Sequence, residues 1–575
     1  MLKKLASCIG EYKKPSILAP LFVTCEVILE VLIPWLMSYI IDYGIEKSNM
    51  KLTGAIGATL VVLVGLSMFC GAMSGRYAAI ASAGFAKNLR KKMFYSVQDF
   101  SFTNIDKFST SGLVTRLTTD VSNLQNAYQM IIRIAVRCPA MLAFSLSMAF
   151  FVNPRISLIF LAAVPILGGG LILIATKAHP IFESVFKTYD RLNQVVQENL
   201  RGIRVVKAFV REDFEENKFK KVSGEIYNKF SAAERLLSFN SPLMQGSMYM
   251  CMLLIAWFGS RLIVSNNMTR GDLISLITYT NQILMSLMSF SMIFVMVIIS
   301  KASAERCAEV LDETSDLTDG TLAEVQDGSI AFKDVFFSYS KSEDSLCLKG
   351  INLSIRSGET IGIIGGTGSA KTSLVQLIPR LYDVTKGSVL VGGKDVRNYK
   401  TKDLRDSVAM VLQKNELFSG TLKENLKWGN ENATDDEIIR ACQLAQADSF
   451  INALPQKYDT HIEQGGKNVS GGQKQRICIA RALLKKPKIL ILDDSTSAVD
   501  THTDSLIRTA FAEEIPNTTK IIIAQRISSI QHADRIIVME NGEVNAFDTH
   551  ENLLENNQIY REIYDSQQRE VIGNE

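Results

Sequence analysis

Residues 361–374 read IGIIGGTGSAKTSL, and this segment constrains the fold of the chain more than any other. Its apolar start predicts a buried strand, its glycines predict a tight turn, and Lys371 marks the first turn of a helix. From Gly365 to Thr372 it has the outline of the phosphate loop G-x-x-x-x-G-K-[ST], in which backbone N–H groups at a helix start cradle phosphates. Ala370 replaces the second motif glycine. Because its methyl group disfavours a positive φ, we expect a less positive φ there, with nucleotide binding preserved.

A second buried strand follows at 489–493 (ILILD) and ends in a carboxylate. Beside the phosphate loop, Asp493 is placed to hold Mg²⁺ through water, and Thr372 can ligate the ion directly. Lys371 supplies positive charge to the β- and γ-phosphates. The two elements together predict an α/β domain that binds ATP and Mg²⁺.

Ser470-Gly471-Gly472-Gln473 lies between these elements, about 20 residues before the second strand. At that spacing the segment resembles the signature of the ABC transporter family. The resemblance implies that Tyr339 stacks on adenine and that Gln413 senses Mg²⁺ and the membrane domain. It also implies a D-loop at the dimer interface at 497–500 and, at 463–466, a segment that contacts intracellular helices. The implied nucleotide contacts are Tyr339, Gly366, Thr367, Gly368, Ser369, Ala370, Lys371, Thr372, Ser373, Ser470, Gly471, Gly472 and Gln473. The implied Mg²⁺ ligands are Thr372, Gln413 and Asp493.

Six long apolar runs precede residue 300, and each reaches the roughly 20 residues that a membrane-spanning helix needs. They lie at about 17–41, 52–74, 129–152, 156–176, 243–264 and 273–299. Lysines and arginines precede the first run and follow the second and sixth, so the positive-inside rule places both termini in the cytoplasm. The long polar connections after the second and fourth runs predict helices that continue into the cytoplasm.

The predicted fold is therefore an α-helical six-span transmembrane domain with long cytoplasmic helix extensions, at 1–310. A linker at 311–328 joins it to an α/β P-loop ABC nucleotide-binding domain at 329–575. Residues 108–120 (FSTSGLVTRLTTD) and 198–209 (ENLRGIRVVKAF) resemble the two intracellular loops of ABC exporters. The resemblance thus covers nearly the whole chain.

Two features of the spans have more than one interpretation. Glu26 and Glu30 share a helix face, and they either contact a cationic substrate or form a structural polar pair near a water-filled vestibule. Four methionines of the sixth span suit a surface that accepts varied ligands, but such residues more often serve ordinary packing or lipid contact. These are Met285, Met288, Met292 and Met296.

Composition narrows the class of protein. The formal net charge is only +3, so no polyanionic partner such as nucleic acid is expected. The nine cysteines show no metal-type pairing and predict no disulfide framework. The polar, basic start and the long first apolar run indicate that there is no cleavable signal peptide.

Two positions depart from the family pattern where hydrolysis takes place. The family has a glutamate after the Asp493 position that polarises the attacking water, and this chain has Asp494. Its carboxylate is set back by roughly 1.5 Å, and a misplacement of that order can lower the rate about 10²-fold. The expected histidine before Arg526 is Gln525, which can hydrogen-bond a γ-phosphate but cannot become an imidazolium. The catalytic positions are thus Asp494 and Gln525, both degenerate, together with Gln413.

The altered positions all belong to the ATP-holding surface of this chain, whereas the signature is intact. In the ABC family, ATP lies between the phosphate loop of one nucleotide domain and the signature of another. The pattern therefore resembles the degenerate-site subunit of bacterial heterodimeric multidrug exporters. It implies ATP-driven efflux of amphipathic or drug-like compounds across the inner membrane, with a second half-transporter as partner. A homodimeric lipid or peptide exporter and an ATP-gated regulatory or channel-like protein remain as alternatives.

Overall fold

The computed structural model describes residues 2–494 and 499–572. They form two units, Met1–Gln98 with Phe108–Glu313, and Asp99–Lys107 with Thr314–Glu575. The described part of the first unit is helical, and the second unit combines helices with three sheets. The domain limits expected from the sequence, 1–310 and 329–575, stay a prediction.

Long helices make up the first unit. In chain order, with the short helix of segment 99–107 included, they are α1 (Leu2–Ser7), α2 (Lys13–Tyr39), α3 (Met50–Gln98), α4 (Phe102–Lys107), α5 (Thr110–Thr115), α6 (Val121–Val152), α7 (Pro154–Arg201), α8 (Ile203–Ala208), α9 (Glu212–Leu237), α10 (Asn240–Val264) and α11 (Arg270–Asp312). Short π-helical turns extend α2 and α5, at Ile40–Ile45 and Arg116–Asp120.

Six helical segments of the described residues are long and apolar enough to cross a membrane. They are Gly10–Ile45, Met50–Gln98, Thr110–Val152, Pro154–Arg201, Glu212–Val264 and Arg270–Phe290. Each overlaps one of the six predicted runs, so the six-span prediction is confirmed. At 1.5 Å per residue α3 is about 70 Å long, more than twice the hydrocarbon thickness of about 30 Å. The predicted extensions of the spanning helices are therefore present.

The tight connection between α6 and α7 follows from local sequence. Asn153 caps α7, since its side-chain oxygen accepts from the backbone N–H groups of Arg155 at 3.1 Å and Ile156 at 3.2 Å. Pro154 stands at the first helical position, where its missing N–H costs nothing. One residue thus ends one spanning helix and starts the next.

The core of the first unit lies where α2, α6 and α11 pack together. Val27, Met141 and Ile283 are buried there. Tyr279 of α11 is fully buried, and its hydroxyl donates to the carbonyl of Val31 on α2 at 2.9 Å. These contacts fix α11 against α2 within the unit, and a cavity described below lies among the same three helices.

The second unit holds the sheets. Its strands are β1 (Ile330–Phe337), β2 (Leu348–Ile355), β3 (Thr360–Gly365), β4 (Lys386–Val391), β5 (Lys394–Asp395), β6 (Val408–Val411), β7 (Gly420–Thr421), β8 (His461–Ile462), β9 (Ile489–Asp493), β10 (Thr519–Ile523), β11 (Arg535–Glu540) and β12 (Glu543–Asp548). Its helices after α4 are α12 (Lys371–Gln376), α13 (Thr401–Ser407), α14 (Leu422–Lys427), α15 (Asp435–Leu444), α16 (Asp448–Asn452), α17 (Gly471–Leu484), α18 (Thr501–Glu514), α19 (His550–Asn556) and α20 (Gln558–Ile572).

The order of the main sheet positions the candidate site. Its strands run β12-β11-β3-β10-β9-β6, and β11, β3, β10, β9 and β6 are mutually parallel. β9 and β10 are buried at every position, as expected for parallel strands covered on both faces. The carboxyl ends of such strands open at one edge, where ligands bind. The segments that follow β3, β6, β9 and β10 therefore meet at that edge.

Segment 99–107 belongs to the second unit although it follows α3 directly in sequence. The hydroxyl of Tyr382 donates to the carboxylate of Asp106 at 2.7 Å, and the ring of Phe102 lies 6.0 Å from that of Tyr382. The side-chain amide of Asn104 donates to the carbonyl of Thr314 at 3.2 Å. The sequence predicted a cytoplasmic helix extension here, but not this attachment.

Candidate nucleotide-binding site

The phosphate loop connects β3 to α12. The ammonium of Lys371 donates to the carbonyls of Gly365 at 2.9 Å and Gly366 at 2.8 Å, and to the hydroxyl of Ser369 at 3.3 Å. A Cβ on Gly365 would lie 2.2 Å from the carbonyl oxygen of Met539, so only glycine fits at the end of β3. Lys371 is thus folded back over the loop, at the start of a helix whose N–H groups are available to an anion.

Ala370 corrects one expectation from the sequence. Its φ is +66° and its ψ is 26°, in the left-handed region. The predicted shift to a less positive φ is wrong, because the loop keeps the geometry that a glycine would give it. An L-residue in this region costs about 1–2 kcal/mol, so Ala370 stores strain in the loop rather than reshaping it.

Asp493 ends β9 beside the loop and is 2% exposed. The hydroxyl of Thr372 donates to its Oδ1 at 3.1 Å. Its Oδ2 is buried and has no hydrogen-bond partner among the residues described. Burial raises the pKa of Asp493, and the negative charge of Asp494 adds to the effect. Burial also lowers the pKa of Lys371, although the two carboxylates oppose that shift.

An orphaned carboxylate oxygen beside a threonine hydroxyl fits Mg²⁺, a cation that takes oxygen ligands and keeps several waters. Thr372 and Asp493 therefore meet as the sequence predicted for a metal site. Gln413, the third expected ligand, is exposed at the end of β6, and its amide lies toward Asp494. In the described ranges, no hydrogen bond joins Gln413 to Thr372 or Asp493.

Asp494 is held by the two glutamines at this edge. The side-chain amide nitrogen of Gln525 donates to Oδ2 of Asp494 at 2.6 Å, and that of Gln413 approaches the same oxygen at 3.5 Å. The three side chains come from segments after β9, β10 and β6, whose strands are neighbours in the sheet. The sequence predicted each position, but it gave no sign that Gln525 binds the shortened carboxylate.

Tyr339 stands beside α12. Its hydroxyl lies 2.9 Å from that of Ser373 and donates to the side-chain carbonyl of Gln376 at 3.2 Å. Its ring meets Phe337 and Tyr382 edge-on, with centroids 4.8 and 5.1 Å apart, and the residue is 41% exposed. Burial raises the pKa of the hydroxyl. The sequence did not indicate that Tyr382 packs against this ring. Stacking of Tyr339 on adenine stays a prediction.

The signature forms a separate surface. Ser470 and Gln473 make a reciprocal cap at the start of α17, with the Ser470 N–H donating at 3.0 Å and its hydroxyl accepting at 3.3 Å. Ser470 and Gly471 are exposed. No hydrogen bond of residues 2–494 or 499–572 joins Ser470–Gln473 to the phosphate loop. Gly471 and Gly472 therefore present backbone N–H groups outward at a helix start.

Two smaller predictions concern neighbouring segments. Of the expected D-loop 497–500, Ser497 and Ala498 lie outside the described residues, and Asp500 caps α18 by accepting from the Thr503 N–H at 2.9 Å. The segment 463–466 precedes the signature, and the Glu463 N–H donates to Asn468 at 3.0 Å. Its contact with intracellular helices stays a prediction.

Comparison with known proteins identifies both halves. Residues 16–287 match the family described as "ABC transporter transmembrane region", and residues 348–497 match the family described as "ABC transporter". The chain is 38% identical to an uncharacterized ABC transporter ATP-binding protein, YfiB, of Bacillus subtilis, over 98% of each chain. It is 34% identical to a second such protein of that organism, YknU, over 99% of this chain and 98% of the relative. A third protein of that organism, YfiC, is 30% identical over 98% of this chain and 94% of the relative.

Proposed function

The chain belongs to the ABC transporter family and joins its transmembrane region and ATP-binding domain in one polypeptide, and from this premise we propose that it is one subunit of a heterodimeric exporter. The exporter moves amphipathic or drug-like compounds out of a bacterial cell with the energy of ATP. Its own phosphate-loop site hydrolyses ATP slowly, and its signature completes the fast site on the partner.

The observation that carries this proposal is the contact between Asp494 and Gln525. A carboxylate that polarises water must place an oxygen against that water. The shortened carboxylate of Asp494 is instead oriented towards Gln525, whose amide donates to its Oδ2 at 2.6 Å. The side-chain amide of Gln525 does not titrate near neutral pH, so it cannot act as a general acid or base. The side chains at this edge are therefore suited to hold a nucleotide and poorly suited to cleave it.

The residues that bind nucleotide have distinct tasks in the proposal. Lys371 leaves the loop carbonyls and pairs with the phosphates, while the N–H groups of α12 orient them. Thr372 and Asp493 would hold Mg²⁺, which neutralises phosphate charge. Tyr339 stacks on the base with its ring held edge-on by Tyr382. None of these tasks uses Asp494 or Gln525, so tight binding and slow hydrolysis are compatible.

The signature supplies the other half of the argument. Ser470 and the N–H groups of Gly471 and Gly472 lie at the start of a 14-residue helix, where an anion is stabilised by unpaired N–H groups and by the helix dipole. Because this surface is separate from the phosphate loop, it is free to meet ATP held by a second subunit. We assign fast hydrolysis to that composite site.

Transport follows from closure of the two nucleotide domains. ATP binding brings them together, the helices that extend from the spans transmit the closure, and a cavity among the twelve combined spans turns outward. Hydrolysis at the composite site resets the cycle. In this proposal the protein lies in the bacterial inner membrane with both termini in the cytoplasm.

ATPase activity tests the proposal. This chain is purified alone and then together with the half-transporter that co-purifies with it. We expect activity only in the second preparation. Robust ATPase from the chain alone would contradict the asymmetric site and favour a homodimer. Activity with the partner but ion flux down a gradient, without uphill export in vesicles, would favour the channel-like alternative.

A further inference from the structure

A cavity of about 290 Å³ lies in the first unit among α2, α6 and α11. Its wall carries the carboxylate of Glu30, the guanidinium of Arg137 and the amide of Gln282. Apolar side chains, including Met141 and Met285, complete it. A concave, mostly apolar wall with a few convergent polar groups is the common form of a small-molecule site.

The charges around the cavity are not balanced at its wall. Arg137 pairs with Glu26 at 2.5 Å through one nitrogen and with Glu30 at 2.6 Å through the other. The Glu26 side chain is only 13% exposed and lies behind the wall, and its second oxygen is buried with no hydrogen-bond partner among the described residues. One guanidinium shared by two carboxylates leaves this triad with a net charge of −1, and of the two carboxylates only that of Glu30, 34% exposed, lies at the wall.

The next basic residue on α6 does not cancel that negative charge. Arg133 lies one turn before Arg137, and a Cβ on Gly75 of α3 would be 3.7 Å from its guanidinium. It therefore lies against α3 and does not line the cavity. A net charge within a membrane-spanning segment is costly unless a counter-ion or water offsets it, and a cation in the cavity offsets the negative charge that Arg137 leaves unbalanced.

We propose that this cavity binds an organic monocation with an apolar body, whose positive centre pairs with Glu30 while Glu26 holds Arg137 in place. The inference rests on the proposed export function, because it names the substrate class of the membrane unit. Met141 and Met285 adapt to the apolar body, and Gln282 fixes its orientation. Gln282 is itself held by the hydroxyl of Ser145 at 3.0 Å.

Two probes of nearly equal shape and opposite charge test it, tetraphenylphosphonium and tetraphenylborate. Equilibrium binding is measured on the full-length chain in lipid nanodiscs, without nucleotide. We expect the phosphonium to bind and the borate to bind at least tenfold more weakly. Glu30→Gln should weaken phosphonium binding about tenfold, whereas Glu30→Asp should retain most of it. Glu234→Gln, at an exposed position of α9, is the matched control and should change nothing.

Equal binding of both probes, or a Glu30→Gln variant whose phosphonium affinity stays within twofold of the original, would overturn the inference. Since no nucleotide is present, the result does not depend on which site hydrolyses ATP. A complex that hydrolyses ATP only with its partner but shows no charge preference would refute the substrate class alone. A charge preference in a chain that is active by itself would refute the heterodimer alone.

Discussion

The phosphate-loop surface and the signature segment belong to one domain, but the first has altered residues and the second is intact. On the first, Ala370 is strained and Asp494 is bound to Gln525. On the second, Ser470 and Gln473 close an intact reciprocal cap. In the proposed function, water activation depends on Asp494 and Gln525, whereas Ala370 changes only the backbone of the loop. The backbone N–H groups that hold phosphate need only a helix start, and both surfaces keep one.

The comparison separates binding from hydrolysis within a single chain. A nucleotide site that keeps its loop, its lysine and its metal carboxylate can still hold ATP, because these groups act by position and charge. Hydrolysis also requires a carboxylate that reaches the attacking water and a side chain that can take up or release a proton. In the proposed heterodimer, the largest effects are therefore expected where this chain completes the site of its partner.

Ser470→Ala should lower the ATPase of the assembled complex about 10²-fold, since it removes a group that contacts phosphate in the composite site. Lys371→Ala should weaken ATP binding at the chain's own site and leave most of the ATPase and partial transport. Steady-state ATPase and nucleotide retention after washing measure the two effects. Equal loss of ATPase from both substitutions would remove the asymmetry.

The control for Ser470→Ala must share its structural cost. Thr434 caps α15 with the same reciprocal arrangement, with Glu437 as its partner, and is likewise exposed. Thr434→Ala loses a comparable cap, worth about 1 kcal/mol, but lies outside both surfaces. It should leave the ATPase unchanged, and a matching loss would mean that the Ser470 effect is one of folding.

Asp494→Glu with Gln525→His should raise hydrolysis at the chain's own site by about 10²-fold, because the longer carboxylate reaches the water and the imidazole can exchange a proton. The gain is measured in a complex that already carries Ser470→Ala, in which hydrolysis at the other site is expected to be about 10²-fold slower. Asp494→Asn in the same background is the matched control and should show no gain. If the double substitution also gives no gain, the slow hydrolysis at this site does not result from Asp494 and Gln525.

Much of this arrangement could be predicted from the sequence, because it depends on short patterns. The run ILILD predicts a buried parallel strand that ends in a carboxylate. Because the phosphate loop also follows a parallel strand, Thr372 and Asp493 are expected at the same edge of the sheet. Six apolar runs predict six spanning helices by length alone. These features need no knowledge of distant contacts.

The remainder depended on contacts between residues far apart in the chain. The pairing of Arg137 with Glu26 and Glu30 joins helices more than 100 residues apart, and no periodicity indicates it. The attachment of Asp106 to Tyr382 spans 276 residues. The φ of Ala370 was wrongly predicted because local preference was weighed without the loop around it, which is fixed by Gly365 against Met539.

Glu359→Gln tests whether loss of stability near β3 changes ATP binding and hydrolysis, or whether these depend only on the side chains of the phosphate-loop surface. Glu359 precedes β3, has a side chain that is 11% exposed, and receives two hydrogen bonds from Arg535 at 2.5 and 2.7 Å. Although burial acts in the opposite direction, these bonds hold the pKa of Glu359 below its ordinary value. Its substitution should destabilise the domain by about 1–2 kcal/mol without altering the ratio of binding to hydrolysis.

The same bridge predicts a pH dependence. Because the folded pKa of Glu359 lies below the unfolded value, the stabilisation is complete above about pH 4.5 and is lost as the pH falls towards the folded pKa. Thermal unfolding at pH 7 and pH 4 should therefore show a large difference between original and variant at pH 7 and a smaller one at pH 4. A difference that grows on acidification would contradict the bridge.

Ala370→Gly should have the smallest effect, because it relieves backbone strain without adding a chemical group. Removing an L-residue from φ +66° recovers about 1–2 kcal/mol, and the added freedom of the unfolded chain offsets part of it. A net gain of about 0.5–1 kcal/mol should appear as a higher midpoint of thermal unfolding. Ala453, at φ −79° and exposed, provides the opposite case, since Ala453→Gly should lower the midpoint. A higher midpoint for Ala370→Gly and a lower one for Ala453→Gly would show that the backbone of the phosphate loop is strained at Ala370. A lower midpoint for both variants would show that Ala370 adopts its positive φ without a cost in stability.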